Sequence, residues 1–289
     1  MTVWFNKKTF HPSVRDTLSF PFAIHFENIE DDKMKKKIQK DIENKKSRLV
    51  VYTAMFGDYD KLIDPPEKYE GCDFICFTDQ KYLKSNIWSI RLIENDKLTP
   101  NMMNRKYKIM PHIIFPEYDE SLYIDANIAI LKNPKDLSDK YLTLNDFVVP
   151  KHPVRDCIYD EAVECIILMK DKTKKLRNQI QRYKESGFPV KFGLSENGIL
   201  LRRHLDRKVV ALMIAWWNEL QKESQRDQLS LPYVIWKSHS KFYFMDESPR
   251  LGEGYFAFTQ HKQSMNRSLC IKIKDKLKFG VRRLLVNWL

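Results

Sequence analysis

The sequence predicts an α/β protein built on an open, mostly parallel sheet with helices on both faces. Three observations predict it. Short apolar runs such as LVVYTAM and DFICFT have the length of strands and end in turn residues. A helix-spaced run with a Thr-Pro start, TPNMMNRKYKIM, falls between such runs. The second half repeats the alternation with longer helical stretches and isolated strand-like ones. Strands that alternate with helices imply crossover connections, hence a parallel sheet.

Taken in order, residues 1–46 are an N-terminal extension ending in a Lys/Glu/Asp-rich stretch with the pattern of a solvated helix. The first strand, 49–55, stops at Phe56-Gly57-Asp58, and the second, 73–78, stops at Asp79. Residues 87–93 alternate like a third. Thr99 is a good N-cap and Pro100 suits the first helical position, so a helix opens there until Pro111 kinks or ends it. SLYIDANIAI, 121–130, reads as one continuous fourth strand, and 146–150 as a fifth. Helical spacing covers 157–170, 175–186 and 205–223, with a strand at 197–201. A further helix starts at Asp227 and is interrupted by Pro232; 241–245 returns as a strand.

Composition sets the outer limits. A chain of 289 residues, 43% hydrophobic, suits one elaborated domain. With only 8 Gly and no Gly-rich loop, neither a Walker A nor a Gly-x-Gly-x-x-Gly dinucleotide loop can be argued. The net charge of +12 favours polyanionic partners, with the excess in 33–46, 170–175 and 271–283. The 5 Cys lack zinc-site spacing and read as thiols in a reducing compartment. The start, MTVWFNKKTF, has no apolar leader, and the most apolar run, 209–217, is too short to cross a bilayer. A cytoplasmic chain is expected.

The polar residues inside SLYIDANIAI need an explanation. Residues i and i+2 of a strand share a face, so Asp125 and Asn127 present two oxygen ligands together. Such a pair can reach Mg²⁺ or Mn²⁺, and a diphosphate through it. The alternative is a turn capped at a strand end. Ligands of parallel sheets bind beyond the carboxyl ends of strands, where Asp125 lies.

The blocks VYTAMFGDYD, FICFTD, NRKYKIMPHIIFPEYDESLYIDANI, KHPVRDCIYDEA, NGILLRRH, WWNEL and RDQLSLPYV, in that order, carry a resemblance. Together they resemble the glycosyltransferase-like family associated with plant pectin and mucilage synthesis, whose bacterial members accompany capsule and lipopolysaccharide genes. The resemblance spans about residues 48–261. It implies a GT-A-like, Rossmann-like domain over 47–262, with a nucleotide-sugar half and an acceptor half. It also implies an enzyme that moves a sugar from a nucleotide sugar, by expectation a UDP-sugar, to a glycan acceptor. The setting it implies is cell-surface polysaccharide synthesis, capsule or lipopolysaccharide.

The resemblance assigns jobs to residues. Thr53, Phe56, Gly57 and Tyr59 follow the first strand, where the base of the donor is held, and Asp79 accepts from base or ribose. Arg105 and Lys108 share one helix face and aim at the donor diphosphate, with Asp125. The cofactor is Mn²⁺ or Mg²⁺ on Asp125, Asn127 and a late His, with His261 ahead of His239. Asn127 stands where many such enzymes have a second Asp, so a metal-independent site using Arg105 and Lys108 remains open. His152, Arg155, Glu196 and Asn197 face the sugar or the acceptor. Asp227 and Gln228 are the catalytic pair; Asp227 is read both as carboxylate base and as helix N-cap. The Asp-Gln pair favours retention over inversion.

The tail stands apart. In SLCIKIKDKLKFGVRRLLVNWL, residues 268–289, Leu269, Ile273, Leu277, Val281, Leu284, Leu285 and Trp288 share a helical face, while Lys272, Lys276, Lys278, Arg282 and Arg283 crowd elsewhere. This pattern over 263–289 predicts a basic amphipathic helix on an anionic membrane, hence a peripheral protein on its inner face. Two rival readings remain. One is an inactive scaffold, prompted by Asn127. The other is a nucleic-acid-binding protein, prompted by the charge; no nucleic-acid motif supports it, and none is expected as a partner.

Overall fold

The first strand, β1, spans Leu49–Met55 and is buried along its whole length, as an apolar run of that length requires at the centre of a sheet. The structure is a computed structural model, and it describes residues 48–58, 60–94, 97–250 and 254–259. The remaining strands of the main sheet are β2 (Cys72–Thr78), β3 (Ser89–Leu92), β4 (Glu120–Ile124), β6 (Phe147–Pro150), β7 (Ile199–Arg202) and β8 (Phe244–Met245). Their order is β3-β2-β1-β4-β7-β6-β8. β7 runs antiparallel to both its neighbours, and every other pairing is parallel. The sheet is thus mostly parallel, as predicted.

Helices cover both faces. On one face Val50, Tyr52, Ala54 and Phe56 pack with α1 (Pro100–Ile109), α6 (Arg207–Lys222) and α7 (Asp227–Lys237). On the other, Leu49, Val51 and Met55 pack with Phe74, Trp88 and Leu137 of α3 (Lys135–Tyr141). A third cluster joins α4 (Ile158–Ile167) and α5 (Thr173–Glu185) to α7, where Tyr183 and Tyr233 stack with ring centroids 3.8 Å apart.

Local chemistry explains the ends of α1. The Thr99 hydroxyl accepts from the Met102 N–H, and Pro100 occupies the first turn. The helix stops before Pro111, which opens the short α2 (Pro111–Ile114). Asp206 caps α6 by accepting from the Lys208 and Val209 N–H groups.

Two sequence expectations change. SLYIDANIAI is not one strand: β4 ends at Ile124, and β5 (Ile128–Ile130) joins a separate two-stranded sheet with β9 (Phe256–Phe258). Asp125 closes a turn, its N–H donating to the Gly198 carbonyl and its carbonyl accepting from Ile128. The turn preference of Asp and Asn outweighs the apolar flanks. The α7 helix runs through Pro232 without interruption, because residues 229–235 are buried on all sides and packing holds the turn. Residues 1–46, 263–289, Tyr59 and His261 lie outside the described residues.

Candidate active site

The carboxyl ends of β1 and β4 open into a cleft of about 850 Å³. Helix α1 supplies its floor. Lys108 follows Asn104 by four residues and Arg105 by three, so both neighbour it on the helix surface, and all three line the cleft. Asn104 donates to the Ala54 carbonyl at 2.6 Å and to the Tyr123 hydroxyl at 3.2 Å. Tyr123 in turn donates to Asp125 Oδ1 at 2.8 Å. Burial, then the Asp125 charge, raises the Tyr123 phenol far above its usual value, so it stays a donor.

Lys108 is 1% exposed. Its Nζ donates to Asp227 Oδ2 at 2.6 Å and stands 3.7 Å from Asp125 Oδ1. Arg105 Nη2 lies 3.6 Å from Asp227 Oδ1. Burial alone would raise the Asp227 carboxyl, but Arg105, Lys108 and Arg226 together hold it well below the usual range. A carboxylate held so firmly is a counter-ion to those cations and a weak proton acceptor. It is also not the N-cap of α7, a position that Arg226 occupies.

Lys108 is held from behind as well. Its carbonyl lies in the last turn of α1, where helical partners run out. It accepts from the Tyr52 hydroxyl at 3.1 Å and from Arg202 Nη1 at 3.0 Å. Arg202 is fully buried and also donates to the Tyr52 oxygen at 2.5 Å. Burial, offset in part by Arg202, pushes the Tyr52 phenol up to about 12.

The opposite wall is Glu196-Asn197-Gly198. Glu196 accepts from Arg250 Nε at 2.7 Å, and burial outweighs that partner and raises its carboxyl. Its second oxygen and the Asn197 amide nitrogen are buried without a hydrogen-bond partner. Gly198 is required by close approach: a Cβ there would lie 2.9 Å from Ile128 Cδ1 and 3.3 Å from Asp125 Oδ2.

The structure brings together Phe56, Arg105, Lys108, Asp125, Asn127, Glu196, Asn197, Asp227 and Gln228 on one cleft. Five predicted residues are placed elsewhere: Thr53, Gly57, Asp79, His152 and Arg155. Thr53 is buried within β1 and does not line the cleft. Asp79 accepts from the Gly57 N–H through both oxygens at 3.0 and 3.1 Å, which fixes Gly57 at φ 72° and uses the carboxylate as a loop tether. His152 turns its Nδ1 to the Arg155 N–H at 2.9 Å, and Arg155 donates to Glu161 at 2.7 Å; neither lines the cleft. Together they tie the loop to itself and to α4, a pairing that a strand-end position cannot reveal. Sequence reasoning missed Asn104, Tyr123, Arg226 and Arg250. Asn104 could have been found, since it lies four residues before Lys108 on the same face.

A divalent cation was expected on Asp125, Asn127 and a late His. His239 is exposed and does not line the cleft. Among the described residues no group of three His, Cys, Asp or Glu side chains is placed to hold a metal. Asp125 already accepts from Tyr123 and faces an ammonium. Of the expected ligands, Asp125 and Asn127 line the cleft and His261 lies outside the described residues; the ammonium beside Asp125 opposes a divalent cation there.

A cleft beyond the carboxyl ends of parallel strands is where open α/β sheets bind their ligands, and its cationic lining suits an anionic one. The chain is a member of a glycosyltransferase-like family: residues 28–248 match the model of the TOD1/MUCI70, glycosyltransferase-like domain. The match begins within the segment read as an N-terminal extension. Two proteins of Arabidopsis thaliana are similar. Alkaline ceramidase TOD1 is 28% identical over 228 residues, covering 67% of this chain and 49% of that protein. Probable hexosyltransferase MUCI70 is 24% identical over 222 residues, covering 67% and 38%. The chain thus spans less than half the length of either. Among solved structures, mouse xyloside xylosyltransferase 1 in its apo form has a TM-score of 0.42 at 10% identity, covering 69% of this chain and 84% of that one. GlyE of Streptococcus pneumoniae TIGR4 has 0.38 at 13%, covering 69% and 45%.

Proposed function

We propose that this chain transfers a sugar from a nucleotide-sugar donor to a glycan acceptor. The observation that carries the reading is the cation group Arg105, Lys108 and Arg226, which lines a cleft at the strand ends. Glycosyl transfer passes through an oxocarbenium-like state while a nucleoside diphosphate leaves. Fixed cations stabilise that leaving charge without reorganising. Glu196 and Asn197, with buried unpartnered polar atoms, suit hydroxyls of the sugar.

The finer reading is a UDP-sugar, retention, and a place in capsule or lipopolysaccharide synthesis at the inner face of a membrane. Retention is supported by the ion pairing of Asp227, which leaves the departing phosphate as the better proton acceptor. The cleft volume suits a ligand of nucleotide-sugar size.

One relative is named an alkaline ceramidase, which suggests a second reading, cleavage of a lipid amide. The charged lining favours the sugar donor. The test offers the purified protein a panel of UDP-, GDP- and CMP-sugars and, separately, ceramide. The expected result is consumption of one donor, lowered by about 100-fold or more in Arg105→Ala. Cleavage of ceramide with every sugar donor untouched would overturn the proposal.

A further inference from the structure

Every carboxylate on the floor of the cleft is already matched or outnumbered by cations. Five cations line the cleft (Arg105, Lys108, Lys170, Arg226 and Arg250) against four carboxylates (Asp60, Asp125, Glu196 and Asp227), so the lining carries one excess positive charge before any ligand arrives, and Arg105, Lys108 and Arg226 gather on Asp227. Lys108 cannot withdraw. Its ammonium is buried on Asp227 at 2.6 Å, and its carbonyl is clamped by Tyr52 and Arg202. A divalent cation on Asp125 would share that carboxylate with an ammonium 3.7 Å away and with the Tyr123 hydroxyl. Like charges that close, with little water between them, repel strongly. A histidine brought from elsewhere in the chain would add a ligand but no negative charge.

The same geometry suits an anion. Arg105 and Arg226 each keep a buried Nε donor without a partner. Guanidinium groups match phosphate oxygens in pairs, and a buried donor without a partner favours a ligand that accepts from it.

We infer that the site holds the diphosphate of its donor through Arg105, Lys108 and Arg226 and needs no divalent cation. The inference rests on the nucleotide-sugar reading. It makes Asp227 the residue that keeps the three cations assembled, and Asp125 a partner of Tyr123 and Lys108 rather than a metal ligand.

Calorimetric titration of the full chain with UDP, GDP and CDP, in EDTA and in millimolar Mn²⁺, tests it. The expected result is binding of one nucleoside diphosphate with the same dissociation constant in both conditions. Arg105→Gln and Arg226→Gln, each checked for native circular dichroism, weaken it by about tenfold or more in EDTA. Asp125→Asn tightens it, because a like charge near the diphosphate is removed. Binding seen only with Mn²⁺ and lost in Asp125→Asn would overturn the inference and leave the donor site standing. The absence of binding in either condition would overturn both. The wild-type comparison decides even where an arginine variant does not fold.

Discussion

Burial and charge pull the Asp227 carboxyl in opposite directions, and the outcome sets a pH signature. Burial raises it; Arg105, Lys108 and Arg226 lower it further than burial raises it. The folded value therefore lies below the ordinary 3.8. A group of this kind adds stability that is present above its unfolded value and is lost as pH falls toward the folded one. At neutral pH, Asp227→Asn leaves buried cations uncompensated and costs about 3–5 kcal/mol. The wild type loses stability below about pH 4 and the variant does so less steeply, so their urea midpoints converge in acid. Parallel falls would show that Asp227 is not the group responsible. At this scale much of the site was legible. Asp125 and Asn127 stand out because acidic and amide groups interrupt an apolar run, and Asp227 because it opens a helix in a block that carries the resemblance. Arg226 does not, because a buried cation beside an acid looks like any charged turn. His152 and Arg155 fall outside the cleft for the opposite reason: a polar loop after a strand looks like a binding loop even when its partners are its own backbone and Glu161 of α4.

Helix α1 and its anchor are the next scale. Periodicity identified the helix, and Thr99-Pro100 its start. What fixes its far end was invisible, since Tyr52 and Arg202 lie 56 and 94 residues from Lys108 along the chain. Tyr52→Phe removes the hydroxyl that donates to Lys108 and accepts from Arg202, leaving that guanidinium a partner short. We expect a loss of about 1–3 kcal/mol of unfolding free energy, read as a lower denaturant midpoint at unchanged slope. Weaker nucleoside-diphosphate binding should accompany it, because Lys108 loses its fixed backbone. A stability loss with unchanged binding would reduce Tyr52 to a core residue. The split of SLYIDANIAI has the same long-range origin. Its second half pairs with Phe256–Phe258, a partner no local pattern can name. The α3 helix was missed because it is only 7 residues long and Pro134 stands at its N-cap, where no Ser, Thr, Asp or Asn marks a start.

For the whole molecule, alternation of strands and helices was enough to predict a mostly parallel sheet, because crossover connections follow from element order alone. Charge distribution adds a separate argument. Residues 263–289 hold seven basic side chains and one acidic one, a net +6 that is half of the chain's +12. The cations of the cleft are paired or aimed at one ligand, so they do not serve a long-range field. The tail's charge is concentrated and interleaved with Leu, Val and Trp, which suits an anionic bilayer, at about 1 kcal/mol per basic residue near the surface. A chain ending at residue 262 should therefore stop sedimenting with phosphatidylserine vesicles yet bind a nucleoside diphosphate as the full chain does. Raised salt should weaken the full chain's vesicle binding, since exposed charges are screened over about 10 Å at 0.1 M. Equal sedimentation of both chains would assign membrane contact elsewhere. Loss of vesicle and nucleotide binding together would mean that the tail helps to build the donor site.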